Sequence, residues 1–157
     1  MDLDYTHSYA ANPEQVVGLL RNPDFIADVA RHAGATEHTV DITEEASTLT
    51  MSLPVPASIA KFVGSSLKMK QVFRFDAPRA DGSIHGTVDV DVPGMPIDVN
   101  ANAAMLPQPD GTTQGRYTGD LKVKIPLVGK KVEGQVEPYI KQAFAGLERR
   151  AADWLSR

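Results

Sequence analysis

The sequence predicts an α+β fold, in which a mainly antiparallel sheet is closed by one long C-terminal helix. Between residues 36 and 125, apolar and polar residues alternate in short segments separated by turn residues, as expected for strands with one buried face. From Leu127 to Leu155 the apolar residues instead recur at steps of three or four and form one stripe along a helix. This change of period marks the boundary between the sheet and the helix.

Composition limits the class of protein. With 157 residues, 42% of them hydrophobic, the chain fits one domain of ordinary size, and we expect a single domain over residues 1–157. The formal net charge of -4 argues against a nucleic-acid partner. The absence of cysteine excludes disulfides and thiolate metal sites. The sequence shows neither a leader peptide nor an apolar run of about 20 residues, so we expect a cytoplasmic protein.

The chain before residue 36 is predicted to form a strand and two short helices. Residues from Leu3 to Tyr9 alternate in polarity and fit a strand with one face turned to the core. The pair Asn12-Pro13, with Gln15 three residues after Asn12, predicts a helix start, because the Asn12 and Gln15 side chains can satisfy free backbone N–H groups there and proline suits the first helical position. A second short helix is predicted from Pro23 or Asp24 to near Gly34, whose tolerance of positive φ suits a helix end.

The later strands are separated by turn signals. Residues 36–53 predict a hairpin that turns at Glu44-Glu45, and further strands are predicted at residues 69–75, 84–92, 97–105 and 117–125. Asp81-Gly82 and Asp110-Gly111 mark the turns between them. With the first strand, the prediction is an antiparallel sheet of about six to seven strands.

Residues 54–67 interrupt the strand pattern. Pro54 and Pro56 argue against a central strand, whereas Ile59, Phe62 and Val63 recur at helical spacing. The segment is predicted to be either a short helix or a mobile flap. Its apolar residues would either cover a sheet edge or act as a lid over the mouth of a cavity.

Three short motifs resemble the START-like superfamily, also called SRPBCC, helix-grip or polyketide-cyclase-like. The segments Tyr9 to Val16 and Asn22 to Phe25 are similar to its opening strand and its first two helix starts. Residues Pro126 to Gly129, leading into the helix that ends at Trp154-Leu155, are similar to its closing segment. Within the superfamily the chain most resembles an uncharacterised actinobacterial family. These motifs bear on the fold and carry no catalytic chemistry.

The resemblance implies a strongly curved sheet wrapped around the C-terminal helix, with a cavity between them for an apolar small molecule. The inward-facing residues are mostly apolar with a few polar tips, which suits a hydrophobic ligand carrying one or two hydrogen-bonding groups. The predicted ligand-binding residues are Tyr5, His7, Tyr9, Met51, Met69, Gln71, Phe73, Tyr117, Val136, Ile140 and Phe144. The same residues would equally fill a solid core, since linings and cores share their composition.

Two polar residues and one proline leave alternatives open. His7 would contact a ligand head group, act as a general acid or base, or be a core histidine tied to a neighbouring carbonyl. Gln71 shares an apolar strand face and, if buried, needs a partner in His7, water or ligand. Pro138, with Gly134, is a predicted site where the C-terminal helix bends, so the helix would serve as a gate as well as a cover.

No recognisable catalytic set accompanies these residues. The histidines show no HxxxH, HxH or HExxH spacing, and neither a GxSxG elbow nor a glycine-rich phosphate loop occurs. We therefore expect no catalytic residues, no bound metal and no cofactor.

The leading hypothesis is a carrier or sensor of a hydrophobic small molecule, such as a lipid, fatty acid or polyketide-like aromatic, without catalysis. One alternative is a cyclase, aromatase or hydrolase acting in the same cavity, and another is a protein-interaction module. Peripheral membrane contact is a further hypothesis, since several lysines would form either a basic patch or a solvated face. They are Lys61, Lys68, Lys70, Lys122, Lys124, Lys130 and Lys131. The oligomeric state stays open.

Overall fold

Seven strands and four helices follow one another along the described backbone. A computed structural model describes the backbone of residues 1–157 and every side chain except those of Ile59, Phe62 and Val63. In chain order the elements are β1 (Asp2–Tyr9), α1 (Pro13–Leu20), α2 (Pro23–His32), β2 (Glu37–Ile42), β3 (Ser47–Pro54), α3 (Ala57–Val63), β4 (Ser66–Phe75), β5 (Ile84–Asp91), β6 (Ile97–Pro107), β7 (Thr113–Val123) and α4 (Gly129–Leu155).

The strands form one antiparallel sheet in the order β1-β7-β6-β5-β4-β3-β2. Neighbours in sequence are neighbours in the sheet, except that β1 pairs with β7. In this pairing Tyr5 lies opposite Tyr117 and His7 lies opposite Gly115. The predicted architecture, a curved antiparallel sheet with two short helices after the first strand and a long C-terminal helix, is confirmed.

Two glycines lie where the backbones of adjacent strands approach each other closely. A Cβ atom on Gly86 would overlap the carbonyl oxygen of Arg74, and one on Gly119 would overlap the carbonyl oxygen of Asn100. The backbones of adjacent strands therefore approach too closely for any other residue at these positions.

The starts of α1 and α2 agree with the prediction. The side-chain oxygen of Asn12 accepts the backbone N–H of Gln15 at 2.9 Å, and the side chain of Gln15 accepts the backbone N–H of Asn12 at 3.0 Å. This reciprocal pair satisfies two donors that the helix itself leaves free. The Asn22 side chain likewise accepts the backbone N–H of Asp24 at 2.9 Å, and Gly34 follows α2 with a φ of 88°.

The interrupted segment forms the short helix α3, one of the two predicted alternatives. Pro56 precedes its first turn, and Gly64 ends it with a φ of 86°. The lid interpretation depended on the side chains of Ile59, Phe62 and Val63, which lie outside the described residues. The backbone of α3 lies next to α4 and β4.

The helix α4 begins at Gly129, later than the predicted start at Leu127. Leu127 has a φ of 70°, in the left-handed region, and so cannot belong to a right-handed helix. Pro138 lies inside α4, where its ring nitrogen has no hydrogen to donate to the preceding turn. None of the helices in the described part of the chain is long and apolar enough to span a bilayer.

Buried side chains fill the space between the sheet and the helices in two groups. The first core cluster joins α1 and α2 to the sheet and to the C-terminal half of α4, and includes Phe25, Tyr117 and Phe144. The second core cluster surrounds Leu121 and Val132, where β7 lies against the N-terminal half of α4. α4 therefore packs along the concave face of the sheet and contributes to both clusters.

Candidate functional site

Three polar side chains meet in the first core cluster and form a hydrogen-bonded chain. Nδ1 of His7 lies 2.7 Å from the hydroxyl of Tyr9, which lies 2.8 Å from the hydroxyl of Tyr117. All three residues are at most 4% exposed. His7 and Tyr9 reach the same space because alternate residues of β1 face the same side of the sheet. We call this group the buried polar chain.

The glycine opposite His7 makes room for the buried polar chain. A Cβ atom on Gly115 would lie 2.5 Å from Cε2 of Tyr9 and 3.4 Å from Sδ of Met105. The Tyr9 ring therefore lies over a position that has no side chain. A larger residue there would displace the ring and, with it, the middle hydroxyl of the chain.

Burial keeps the buried polar chain uncharged at neutral pH. Burial lowers the pKa of His7, although the nearby carboxylate of Glu148 opposes the shift. Burial also raises the pKa values of Tyr9 and Tyr117, because an ionised phenol is poorly solvated there. A neutral histidine hydrogen-bonded to the first of two linked neutral phenols is a stable arrangement in a core.

Phe144 of α4 covers the buried polar chain. Its ring centroid lies 5.1 Å from that of Tyr117, 6.2 Å from that of His7 and 4.9 Å from that of Tyr5. The ring planes are tilted relative to one another, a favourable arrangement for aromatic pairs. Around His7, the space between the sheet and α4 is thus filled by side chains.

Towards the middle of α4 the side chains that face the sheet are less buried. Tyr5, Met69 and Ile140 each contact both core clusters, yet each is only partly buried. These three side chains, which we call the junction residues, come from β1, β4 and α4. They mark a position on the concave face where solvent reaches apolar side chains between the two clusters.

A carboxylate lies beside the junction residues. The hydroxyl of Tyr5 donates a hydrogen bond of 3.1 Å to Oε1 of Glu137 on α4. Burial, together with this hydrogen bond, raises the pKa of Tyr5 to about 12, so the phenol stays protonated at neutral pH. The site therefore presents a carboxylate, from Glu137, and a phenol, from Tyr5, next to an apolar surface.

The structure divides the predicted ligand-binding residues into two sets. One set is buried, in the first core cluster or, for His7, beside it: His7, Tyr9, Met51, Phe73, Tyr117 and Phe144. The other set is partly exposed: Tyr5, Met69, Gln71, Val136 and Ile140. His7 has Tyr9 as its partner and not Gln71, which the sequence had offered as one alternative. The partly exposed set is the better candidate for direct ligand contact.

Two surface clefts lie apart from the junction residues. The larger, of about 540 Å³, lies between the end of β1 and the β6–β7 turn, and His7 and Glu148 line it. There the side chain of Glu148 accepts the backbone N–H of Ser8 at 2.7 Å, which joins α4 to the free edge of β1. The smaller, of about 450 Å³, lies between α1 and the end of β4, and none of the predicted ligand-binding residues lines it.

Sequence reasoning missed Glu137 and Glu148 because it followed only the apolar stripe of α4. A usable signal was present, since Glu137 precedes Phe144 by seven residues and Glu148 follows it by four. These spacings place all three on one side of a helix. Carboxylates along the edge of an apolar stripe are therefore candidates for contacts with the facing strand, here β1.

A family model and several solved structures match the chain. The model of the family described as Protein of unknown function (DUF2505) matches residues 4–155. None of the curated proteins matches the sequence significantly. Protein TTHA0849 from Thermus thermophilus is similar in structure with a TM-score of 0.64 at 15% identity, over 96% of this chain and 97% of that chain.

Two further structures share the fold. Norcoclaurine synthase from Thalictrum flavum has a TM-score of 0.63 at 12% identity, over 100% of this chain and 87% of that chain. Human StAR-related lipid transfer protein 5 has a TM-score of 0.61 at 15% identity, over 99% of this chain and 77% of that chain. The helix-grip fold is thereby confirmed, whereas identities this low carry no activity across.

Proposed function

The chain belongs to the family described as Protein of unknown function (DUF2505), and from the geometry of its site we propose that it binds and carries a largely apolar small molecule. The ligand would be a lipid or a polyketide-like aromatic held between the sheet and α4, without turnover. The actinobacterial origin of the family and a cytoplasmic location stay predictions from the sequence.

Partial exposure of the junction residues is the observation that carries this proposal. Met69 and Ile140 are apolar and face the interior, yet solvent reaches both of them between two buried clusters. A ligand lying across them would remove apolar surface from water, which favours binding. Leu67 and Val136, also partly buried, extend this apolar surface along β4 and α4.

The polar groups beside the junction residues limit the chemistry of the ligand. Glu137 presents a carboxylate that already accepts a hydrogen bond from Tyr5. A ligand hydroxyl, phenol or amine could donate to it, whereas a fatty-acid carboxylate would meet a like charge. Among the ligand classes expected from the sequence, we therefore favour a long-chain alcohol, a sterol-like molecule or a phenol over a fatty acid.

The fold is compatible with carriage of a small molecule but does not require it. The human neighbour with this fold is named a lipid transfer protein, and the Thalictrum flavum neighbour is named a synthase. Both kinds of function are therefore compatible with a helix-grip domain. The choice between them depends on the residues of this chain.

One observation favours a second candidate, an enzyme such as a cyclase, aromatase or hydrolase. The buried polar chain contains a histidine whose pKa is lowered by burial, so it is an available base at neutral pH. Phe144 covers this histidine, and the buried polar chain satisfies its Nδ1, which is why we rank the enzyme second. Loss of turnover in a folded His7→Gln variant would support the enzyme.

Ligand binding can be tested on the full chain by native mass spectrometry and by displacement of a fluorescent long-chain probe. We expect a long-chain alcohol to displace the probe more effectively than the matching fatty acid. The variant Ile140→Trp, which places a much larger side chain at the junction, should weaken probe binding at least roughly tenfold. Lys141→Trp, at the adjacent exposed position, is the matched control and should bind as the wild type does.

The variant Glu137→Gln tests the polar end of the site separately. Removing the charge should narrow the difference between the alcohol and the fatty acid, because the carboxylate no longer repels an anionic head group. If no apolar molecule co-purifies and none of the probes binds, carriage is excluded. If Ile140→Trp binds the probe normally, the ligand does not lie at the junction residues.

A further inference from the structure

The loop between β7 and α4 holds a leucine entirely in solvent. Leu127 has a relative accessibility of 105%, whereas Ile125 and Val128 on either side pack against the second core cluster. Its side chain therefore contributes nothing to the core. A single exposed leucine is common on protein surfaces, so exposure alone is not informative.

The backbone of Leu127 makes the position unusual. Its φ of 70° lies in the left-handed region, where the Cβ atom of an L-residue is crowded. Among the described residues other than glycine, it alone has a positive φ. A glycine would adopt this conformation with less strain. Neither local conformation nor packing explains why a large apolar residue stands here.

Hydrogen bonds hold the loop in a defined shape on both sides of Leu127. The backbone N–H of Lys124 donates to the carbonyl of Pro96 at 2.7 Å, which ties the loop to the β5–β6 connection. The N–H of Gly129 donates to the carbonyl of Ile125 at 2.9 Å and closes a turn around Leu127. The outward direction of the leucine thus follows from an anchored backbone.

Positive charge surrounds the exposed leucine. Lys124, Lys130 and Lys131 are all exposed, and Asp98 pairs with Lys124 at 3.0 Å. The first turn of α4 contains no acidic residue, and Glu133 points inward to accept the backbone N–H of Val123. Two lysines at the N-terminal end of a helix oppose the helix dipole, whereas a bound anion would complement both.

We propose that residues 124–131 form a docking loop for an anionic membrane surface. Leu127 inserts below the head groups of the bilayer, and Lys130 and Lys131 contact lipid phosphates. One outward apolar side chain flanked by lysines matches the layered chemistry of such a surface, which is anionic outside and apolar beneath. Docking goes beyond the carriage proposed above and does not depend on it, so each can fail separately.

Vesicle co-sedimentation of the full chain tests the docking loop. We expect binding to phosphatidylcholine vesicles that contain phosphatidylserine, weaker binding to phosphatidylcholine alone, and weakening at high salt. Leu127→Gly should lower the affinity roughly tenfold or more while leaving folding intact, because glycine relieves the positive φ. Combined Lys130→Glu and Lys131→Glu should lower it at least as much.

Matched controls use the same chemistry elsewhere on α4. Lys141→Glu reverses a charge about 15 Å further along the helix, and Tyr139→Ser removes another partly exposed apolar side chain. Both should bind vesicles as the wild type does. Failure of the wild type to bind anionic vesicles, or undiminished binding by Leu127→Gly, would overturn the proposal. The exposed leucine would then point to a protein partner instead of a membrane.

Fluorescent labelling gives an independent readout of insertion. The chain has no cysteine, so Leu127→Cys and the control Ala152→Cys each provide one labelling site. An environment-sensitive fluorophore at position 127 should shift to the blue on addition of anionic vesicles, and one at position 152 should not. Equal shifts at the two positions would contradict docking through this loop.

Discussion

The indole N–H of Trp154 donates a 2.9 Å hydrogen bond to the buried carboxylate of Asp28. The same carboxylate oxygen accepts a 2.8 Å hydrogen bond from Nε of Arg150. The Trp154 ring also meets Phe25 edge-on, with centroids 5.6 Å apart. One carboxylate on α2 thus fastens the last turns of α4, and this attachment helps to seat Phe144 over the buried polar chain.

Replacing this carboxylate should destabilise the protein. Asp28→Ala leaves the Trp154 indole N–H and the Nε–H of Arg150 without their acceptor, at an expected cost of about 2–3 kcal/mol in the free energy of unfolding. Urea denaturation measures the change. Asp153→Ala, which removes an exposed partner of Arg150 and Arg157, should cost less than about 1 kcal/mol. Similar losses for both variants would show that the buried attachment is unimportant.

The same residue predicts part of the acid sensitivity. Burial alone would raise the pKa of Asp28, but hydrogen bonds from Trp154 and Arg150 outweigh it and hold the pKa below its ordinary value. Its stabilising contribution is therefore present above the unfolded pKa of about 3.9 and is lost as pH falls through the folded pKa. Asp28→Asn should lose less stability than the wild type over that acid range, as measured by denaturation at several pH values.

His7 predicts a second pH dependence, in a higher range. Because burial lowers the pKa of His7 in the folded protein, the unfolded chain binds more protons between that value and about 6.5. Stability should therefore fall as pH is lowered below about 6.5, and the fall should be smaller in His7→Gln. His38→Gln leaves the buried histidine in place and serves as the control substitution. Equal slopes in His7→Gln and the wild type would contradict the assignment.

The order of the buried polar chain predicts unequal effects of removing its hydroxyls. Tyr9→Phe removes the middle hydroxyl and leaves both His7 and Tyr117 without a partner, at about 1–3 kcal/mol. Tyr117→Phe keeps the bond between His7 and Tyr9 and should cost about 0.5–1.5 kcal/mol. The double variant should cost less than the sum, because the two share one hydrogen bond. If the two single losses of stability simply add up in the double variant, the proposed buried polar chain is contradicted.

Pro138 predicts a gain in stability. Pro138 lies in the middle of α4 with its side chain exposed to solvent. Pro138→Ala should therefore restore helical hydrogen bonding and raise the free energy of unfolding by about 1–3 kcal/mol. Gly134→Ala, where an added Cβ meets nothing within 4 Å, should add about 0.5–1 kcal/mol.

If bending at Pro138 admits ligand, stopped-flow measurements should show slower probe release in Pro138→Ala than in Gly134→Ala. Equal rates would remove Pro138 from gating.

Local patterns predicted most of the secondary structure. Alternation identified β1, the cap at Asn12 identified the start of α1, and turn dipeptides such as Asp81-Gly82 separated the strands. Each signal depends on residues a few positions apart, which is why it can be read from the chain. The start of α4, predicted at about Leu127, lies two residues later at Gly129, because an apolar stripe does not report the sign of φ at Leu127.

The sequence by itself determined which residues face inward, since strand and helix periods decide this locally. Only the tertiary structure decided which of these inward-facing residues are fully buried and which remain partly exposed to solvent. Tyr9 forms a hydrogen bond with Tyr117, 108 residues further along the chain, and Asp28 forms one with Trp154, 126 residues further along. Such pairs depend on strand register and on the placement of α4, which involve the whole chain. A buried core and a ligand site have the same composition, so His7 and Ile140 could be told apart only by their packing.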